Sequence, residues 1–319
     1  MYNEEIKEAF LHSYTKSHSQ ELAARWTFRA CEPFELAWGS DLCTRSVEEL
    51  TDMSEQIIGV RSPGKWTRVN ILRAYVRWCL KKKVPGATDA MLHVECDGAE
   101  SFRKQMLRSP EALEEWLNKM LKPVSEGTPD IIFRCFCWLA WHGVQQDDVI
   151  SIAADNIDLN RKILYYHDRQ IELCRQSWDA IEAAVKMTGF NVHNGNYRLI
   201  TYDYMPRVDH PSILRSVKTE PVYSSITIML SRRERRYEKE SGEKLPRYSY
   251  YNVWLSGAFY RAYITECKEH YVDFGDLAVE FMRGKEYSFN GDIAARRRKR
   301  TQVSGDYARD YEKWKSVFY

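Results

Sequence analysis

Residues 130–142, DIIFRCFCWLAWH, are apolar almost all round, and this stretch constrains the fold more than any other. A helix with no polar face belongs at the centre of a structure, covered on every side. At 13 residues it is too short to cross a membrane, since a span needs roughly 18. The rest of the chain has to supply the cover. With 319 residues, 44% of them hydrophobic, it can do so and still form two domains. Directly after this helix comes HGVQQDDVISI, residues 142–152: a glycine turn, then a second short helix, with Gln145 just past the turn.

Composition narrows the class. Ten Trp and twenty Tyr argue for folded structure over most of the length. The opening MYNEEIKEAF is acidic and lacks the apolar run of a signal peptide. The expectation is a soluble, cytoplasmic protein with no membrane association. Eight cysteines scattered over a long chain fit buried thiols, Cys135 and Cys137 included, better than a disulfide framework. There is no CxxC pair and no HExxH, so no metal and no cofactor is expected.

Net charge is only +2, yet its distribution is uneven. Between Gly59 and Lys83 stand eight basic residues and no acidic one. SRRERRYEK at 231–239 and RRRKR at 296–300 are two further clusters. Separate basic patches on a nearly neutral chain point to a polyanion surface balanced by acidic faces elsewhere.

The first 105 or so residues read as helical. EEIKEAFLHSYTK, HSQELAARWTFRACEPFE, SVEELTDMSEQII and WTRVNILRAYVRWCLKK repeat apolar residues three and four apart. In the last, Val69, Leu72, Val76, Cys79 and Leu80 form the inward stripe, and Asn70, Arg73, Arg77 and Lys81 a second face. Thr67 reads as an N-cap that would leave Lys65 and backbone N–H groups facing a phosphate. SPEALEEWLNKML opens a new helix at Ser-Pro. VISIAADNIDLNRKILYYHDRQIEL reads as short strands around a turn at Asp158–Lys162. A helix at SWDAIEAAVKM follows, then a loop-rich stretch at 190–222 with Pro206, Pro211 and Pro221. Helices return at SSITIMLSRRERRYEKE, YYNVWLSGAFYRAYITECKEH and DFGDLAVEFMRG. Glu234 and Glu238 are placed to pair locally with the arginines around them. The predicted fold class is mainly α with a small antiparallel β-sheet, in two domains.

This order, with HGVQQDDVISI and KWTRVNILRAYVRWCLKK, resembles the tyrosine recombinases, the phage-integrase family. The resemblance covers most of the chain and is most specific at 130–173. It implies a helical core-binding DNA-binding domain at 1–105 and an integrase catalytic-like domain at 109–319, together gripping double-stranded DNA. It also shows what is missing. The family's Thr-Gly-Leu-Arg-x-Ser-Glu-Leu turn keeps Gly143 and Asp148 but places Gln145 where the first arginine stands. Its His-x-x-Arg-His box falls on VWLSGAF, putting Val253, Ser256 and Gly257 at the histidine, arginine and second histidine places. The late Gly-His pair resembles Gly284-Lys285, and the tyrosine nucleophile falls near Tyr307 or Tyr311. Arg169 is the cation nearest the hairpin lysine.

Losing one preorganised donor to a developing oxyanion costs roughly 100- to 1000-fold in rate. Gln145 offers a neutral hydrogen bond but no bidentate grip on phosphate. Loss of both arginines is therefore expected to abolish strand cleavage, leaving no catalytic residue. YNVWLSGAFYRAY and YARDYEKWKSVFY resemble the integrase-like master repressors of lysogeny of SPbeta-like phages. That implies a transcriptional repressor bound to phage operator sites; self-association and a protein antagonist stay open.

The expected DNA contacts are Lys65, Arg68, Asn70, Arg73 and Arg77 in the first segment. In the second they are Arg169, Arg232, Arg233 and Arg236, with Arg296, Arg297 and Arg298 in a run that reads either as a solvated tail or as a nucleic-acid arm. The rival readings are an active recombinase with displaced residues, drawn from Arg169, Arg247, Arg261, Lys285 and Tyr307, and an interaction protein for an acidic partner or RNA. Tyr307 and Tyr311, four apart beside Trp314, fit packing of a terminal helix, and His142 a helix end.

Overall fold

The computed structural model describes residues 1–58, 62–96, 98–187, 189–194, 198–203, 211–214, 221–282 and 292–319. At 62–66, 189–194, 198–203 and 281 the description is of the backbone alone. By packing, the chain forms two compact units, one of Met1–Lys104 with Asp273–Tyr319, the other of Gln105–Val272. The sequence reading places 273–319 in the second segment, whereas these residues pack with the first.

Unit 1 is built from α1 (Glu4–Tyr14), α2 (His18–Trp38), α3 (Val47–Ile57) and α4 (Ser62–Lys82). α5 (Ala99–Gln105) spans its boundary, and α11 (Gly275–Met282) and α12 (Ile293–Phe318) complete it; the intervening helices are given with unit 2. Local chemistry sets the ends. Ser17 caps α2 by accepting from the Gln20 amide, and Gly39 ends it at φ 67°. Ser46 and Glu49 form a reciprocal capping box on α3. α4 starts at Ser62, so Thr67 lies inside the helix and is not its cap. Phe10, Phe28, Leu72, Tyr75 and Val76 are almost fully buried, with Tyr75 ring centroids 5.1 Å from Phe28 and 5.3 Å from Phe10.

One ion pair sits inside this core. Lys7 Nζ lies 2.6 and 2.5 Å from the two Glu35 oxygens, and both side chains are fully buried. The Leu42 amide donates to Glu35 at 3.0 Å. Tyr75 donates to Asp41 at 2.9 Å. Burial raises the Glu35 pKa, with Lys7 opposing it. The surrounding donors satisfy the pair, the condition under which a buried charge is tolerated.

Residues 296–300 are no loose tail: they occupy the second turn of α12, which Asp292 caps through the Ala295 amide. Further along, Val303, Tyr307, Tyr311 and Trp314 are buried, and α12 packs on α4 and α11.

Unit 2 centres on α7 (Asp130–Trp141), every residue of which is buried, as its all-round apolarity requires. Before it runs α6 (Pro110–Met120), capped by Ser109 with Pro110 at its first position. α8 (Arg175–Lys186), α9 (Tyr223–Ser241) and α10 (Tyr250–Glu269) follow. α7 packs against α8 and α10, and α6 against α8 and α9. The polar exceptions on α7 are satisfied: Arg134 donates to the Leu121 and Lys122 carbonyls and to Asn118 at 2.8–2.9 Å.

A three-stranded antiparallel sheet joins β1 (Ile157–Asp158), β2 (Ile163–Tyr166) and β3 (Arg169–Glu172), with Leu164 opposite both Ile157 and Ile171. Strand begins only at Ile157; Val149–Ser151 is a 3-10 turn, in line with the short helix expected after the glycine turn, and Ala154–Asn156 is another where strand is expected. Part of the stretch read as loop, 190–222, forms a second antiparallel pair, β4 (Gly189–Asn194) with β5 (Arg198–Asp203). The mainly helical class with a small antiparallel sheet holds.

Candidate nucleic-acid interface

On α4 the second face divides into exposed and tethered side chains. Asn70, Arg77 and Lys81 are exposed, at the spacing that stacks them on one helix face. Arg73 is half-buried and donates to the Val94 carbonyl at 2.9 Å. Arg68 is also half-buried, donates to the Ile57 carbonyl, and has its pKa lowered by burial. Two of the expected contacts therefore hold the fold of unit 1, and Asn70 and Arg77 present themselves to solvent. Lys65 lies outside the described side chains. Arg296, Arg297 and Arg298 are all exposed on α12, continued by Lys299 and Arg300.

On α9, Arg232 and Arg236 are exposed, Arg236 paired with Glu240 at 2.8 Å. Arg233 faces inward instead. It reaches Asp130 at 2.9 Å, with its guanidinium over the Phe133 ring, and so joins α9 to α7. Glu238 pairs with Arg247 at 3.3 Å. Glu234, expected to pair on the surface, is buried.

The glycine turn after α7 is held from both α10 and the sheet. Gly143 has φ 94°, and its neighbour Val144 returns a backbone bond to Leu139. α10 grips the turn's carbonyls: Arg261 that of Trp141, Trp254 that of Gly143 at 3.1 Å, Tyr250 that of Val144 at 2.9 Å. The Gln145 amide donates to the Tyr166 hydroxyl at 3.1 Å, which donates to Asp148 at 2.5 Å. His167 also contacts Asp148, at 3.1 Å. His142 is buried, with Nε2 2.8 Å from the Ser177 hydroxyl. Burial, with Arg261 adding to it, drives the His142 pKa down to about 3.

Two guanidinium groups converge here. A β-carbon on Gly143 would stand 3.0 Å from Arg261 Nη2 and 3.7 Å from Arg169 Nη2. Arg169 also lies 5.7 Å from the centre of the Tyr166 ring. The arrangement suits an anion, because two close cations repel and a shared anion relieves them. Arg261 is absent from the expected DNA contacts. Its signal was the helical spacing Tyr250, Trp254, Gly257, Arg261, which puts it on the face directed at α7.

The other positions aligned with the recombinase box are core. Val253, Ser256 and Gly257 lie in the buried stretch of α10. Ser256 is fully buried, donates to the Asn252 carbonyl at 2.6 Å and accepts from the Leu107 amide at 2.9 Å. Tyr307 is 0% exposed and Tyr311 is buried, its ring centroid 5.2 Å from that of Phe274. Lys285 lies outside the described residues. Among the described residues no group of acids, histidines and cysteines is placed to hold a metal, and no helix is long and apolar enough to cross a membrane. None of the eight cysteines, all of them among the described residues, is joined in a disulfide.

These features define a mainly helical chain with a small antiparallel sheet and exposed basic helix faces. Residues 1–81 match the family model for the MrpR N-terminal core-binding domain, so that over this segment the chain is similar to MrpR proteins. Among solved structures it is similar to the Tn1549 transposon integrase in complex with a circular intermediate DNA. That similarity has 10% sequence identity and a TM-score of 0.34, over 82% of this chain and 86% of the other. No curated protein matches.

Proposed function

We propose that the chain is a sequence-specific double-stranded DNA-binding repressor that maintains prophage lysogeny from the host cytoplasm, on an integrase-like fold without recombinase catalysis. The observation that carries this reading is the state of Ser256 and Tyr307, both fully buried. A serine bonded to backbone within α10 offers nothing to a phosphate, and a buried hydroxyl cannot attack one. What remains available is the exposed face of Asn70, Arg77 and Lys81, on a helix that the MrpR core-binding match covers almost to its end. Phosphate contacts from such a face supply affinity and register, and Asn70 has the groups to read a base edge.

The test is a binding reaction with labelled fragments of prophage DNA, split between native and denaturing gels. A shift on a few fragments that disappears on denaturation is the expected outcome. Arg77→Glu with Lys81→Glu should weaken every duplex and flatten the salt dependence by about 0.9 in slope per lost phosphate contact. Unchanged binding in that double variant would remove α4 from the interface.

A second reading rests on Arg169 and Arg261. Two cations on the glycine turn suit a phosphate, as an active recombinase with displaced residues would need. An adduct that survives denaturation and vanishes in Tyr307→Phe would establish it in place of the repressor.

A further inference from the structure

Unit 2 holds a cavity of about 400 Å³ that the DNA reading does not use. α7 contributes Phe136 and Cys137, α9 contributes Tyr223, Thr227 and Glu234, and Tyr250 opens α10 across from them. The aromatic rings are already assembled: the Tyr250 centroid lies 4.7 Å from Phe136 and 5.7 Å from Tyr223, and the Phe136 and Tyr223 centroids are 5.6 Å apart.

Glu234 is the anomaly. It lies on the inward face of α9 with Tyr223, Thr227 and Leu230, at the spacing that normally carries apolar residues. It is only 5% exposed, and among the described residues it makes neither a hydrogen bond nor an ion pair. Burial raises its pKa, with Arg247 opposing and Glu238 reinforcing the shift. Four residues on, Glu238 pairs with Arg247, which also lines the cavity, at 3.3 Å. Arg247 thus contacts Glu238 directly, while Glu234 feels Arg247 and Arg235 only through the field. The cavity has aromatic walls, a buried acid, one arginine already held by Glu238, and room for a small molecule, since ligand sites run upward from roughly 300 Å³.

We propose that this cavity binds a compact organic cation, an ammonium or guanidinium group held by the Glu234 carboxylate among the rings of Phe136, Tyr223 and Tyr250. The carboxylate gains its missing partner, and the ring faces attract the same charge. The cation is carried either by a free amine or by a basic side chain of a peptide.

The experiment titrates the full chain with n-butylamine and with n-butanol, matched in size and differing in charge, by calorimetry. Butylamine should bind at one site and butanol should not. Glu234→Gln, which keeps the shape and removes the charge, should weaken butylamine by about tenfold or more, the scale of a charge-assisted hydrogen bond. Thr227→Leu fills the cavity from α9 without touching the carboxylate, and should also abolish binding if Glu234→Gln fails to fold. A glycyl-arginyl-glycine amide separates the sources: binding of the peptide assigns a presented side chain, and exclusion of it with retained butylamine assigns a free amine. Equal binding of butanol and butylamine, no binding of either cation, or butylamine binding unaltered in a folded variant overturns the proposal.

Discussion

A β-carbon on Gly257 would stand 2.0 Å from the Trp141 carbonyl oxygen. The absence of a side chain at 257 is thus what lets α10 cross α7 closely enough for Arg261 and Trp254 to reach the turn. The resemblance to the recombinases sets a histidine at this place; here the space is occupied by backbone. Gly257→Ala should destabilise unit 2 by about 3 kcal/mol, the upper end for overpacking against atoms that cannot move aside. Chemical denaturation monitored by hydrogen exchange in α7 checks this, and a loss under about 1 kcal/mol, the scale of a well-tolerated core swap, would mean that the two helices separate easily.

The buried Lys7–Glu35 pair makes a second prediction, in unit 1. Lys7→Met leaves a carboxylate in the core with no cation, and breaking such a pair costs roughly 3–5 kcal/mol. Because Glu35 is already pushed toward its protonated form by burial, the deficit in Lys7→Met should shrink as pH falls. A denaturant series at neutral and acidic pH reads both effects; a deficit independent of pH would show that the lost packing of the lysine stem dominates.

His142 sets a pH limit on unit 2. Its pKa lies at about 3 in the folded chain, against an ordinary value of 6.5. The unfolded chain therefore takes up a proton as pH falls through 6.5 while the folded chain does not. Stability is complete above that value and declines toward pH 3, with a slope of up to about 1.4 kcal/mol per pH unit from this one group. With the Ser177 hydroxyl donating to the Cys174 carbonyl at 2.8 Å, His142 Nε2 is the donor in its own bond. His142→Gln, which keeps a donor and cannot titrate, should flatten the acid limb of a melting-temperature profile. An unchanged limb would assign the loss to other groups.

Arg169 and Arg261 predict an anion effect. Sulfate should raise the melting temperature of the wild type more than chloride at equal ionic strength, and Arg169→Gln should remove most of that difference. Arg261→Gln should do so too, with an added loss of stability, since it also gives up the Trp141 carbonyl. Identical sulfate responses in wild type and Arg169→Gln would mean that the two cations do not act together.

The sequence made much of this architecture legible, for reasons that can be named. The all-round apolarity of 130–141 placed α7 at the centre, because a helix without a polar face has nowhere else to go. Ser109 and Pro110 announced α6, and the turn-rich Asp158–Lys162 separated β1 from β2. The strands at 189–203 were obscured by Pro206, Pro211 and Pro221 downstream, although the Asn194-Gly195 pair is itself a hairpin signal. In the site, charge counting found the basic stripe of α4 but could not tell Arg77, which faces solvent, from Arg73, which ties down Val94. Both sit at one helical spacing, and only the neighbouring chain decides between them. Glu234 was misread for the same reason: local pairing rules apply to an exposed face, and this face is covered.

Unit 1 is made of two stretches of chain with the whole of unit 2 between them. On a ribosome, α4 emerges long before α12, and the side on which α12 packs stays open throughout. Unit 2 is continuous and can close as soon as it is out. The segment synthesised first therefore closes only after unit 2, and the basic faces of α4 and α12 become parts of one body only when translation has passed α12. An incomplete chain would carry a finished unit 2 on an N-terminal segment still waiting for its lid.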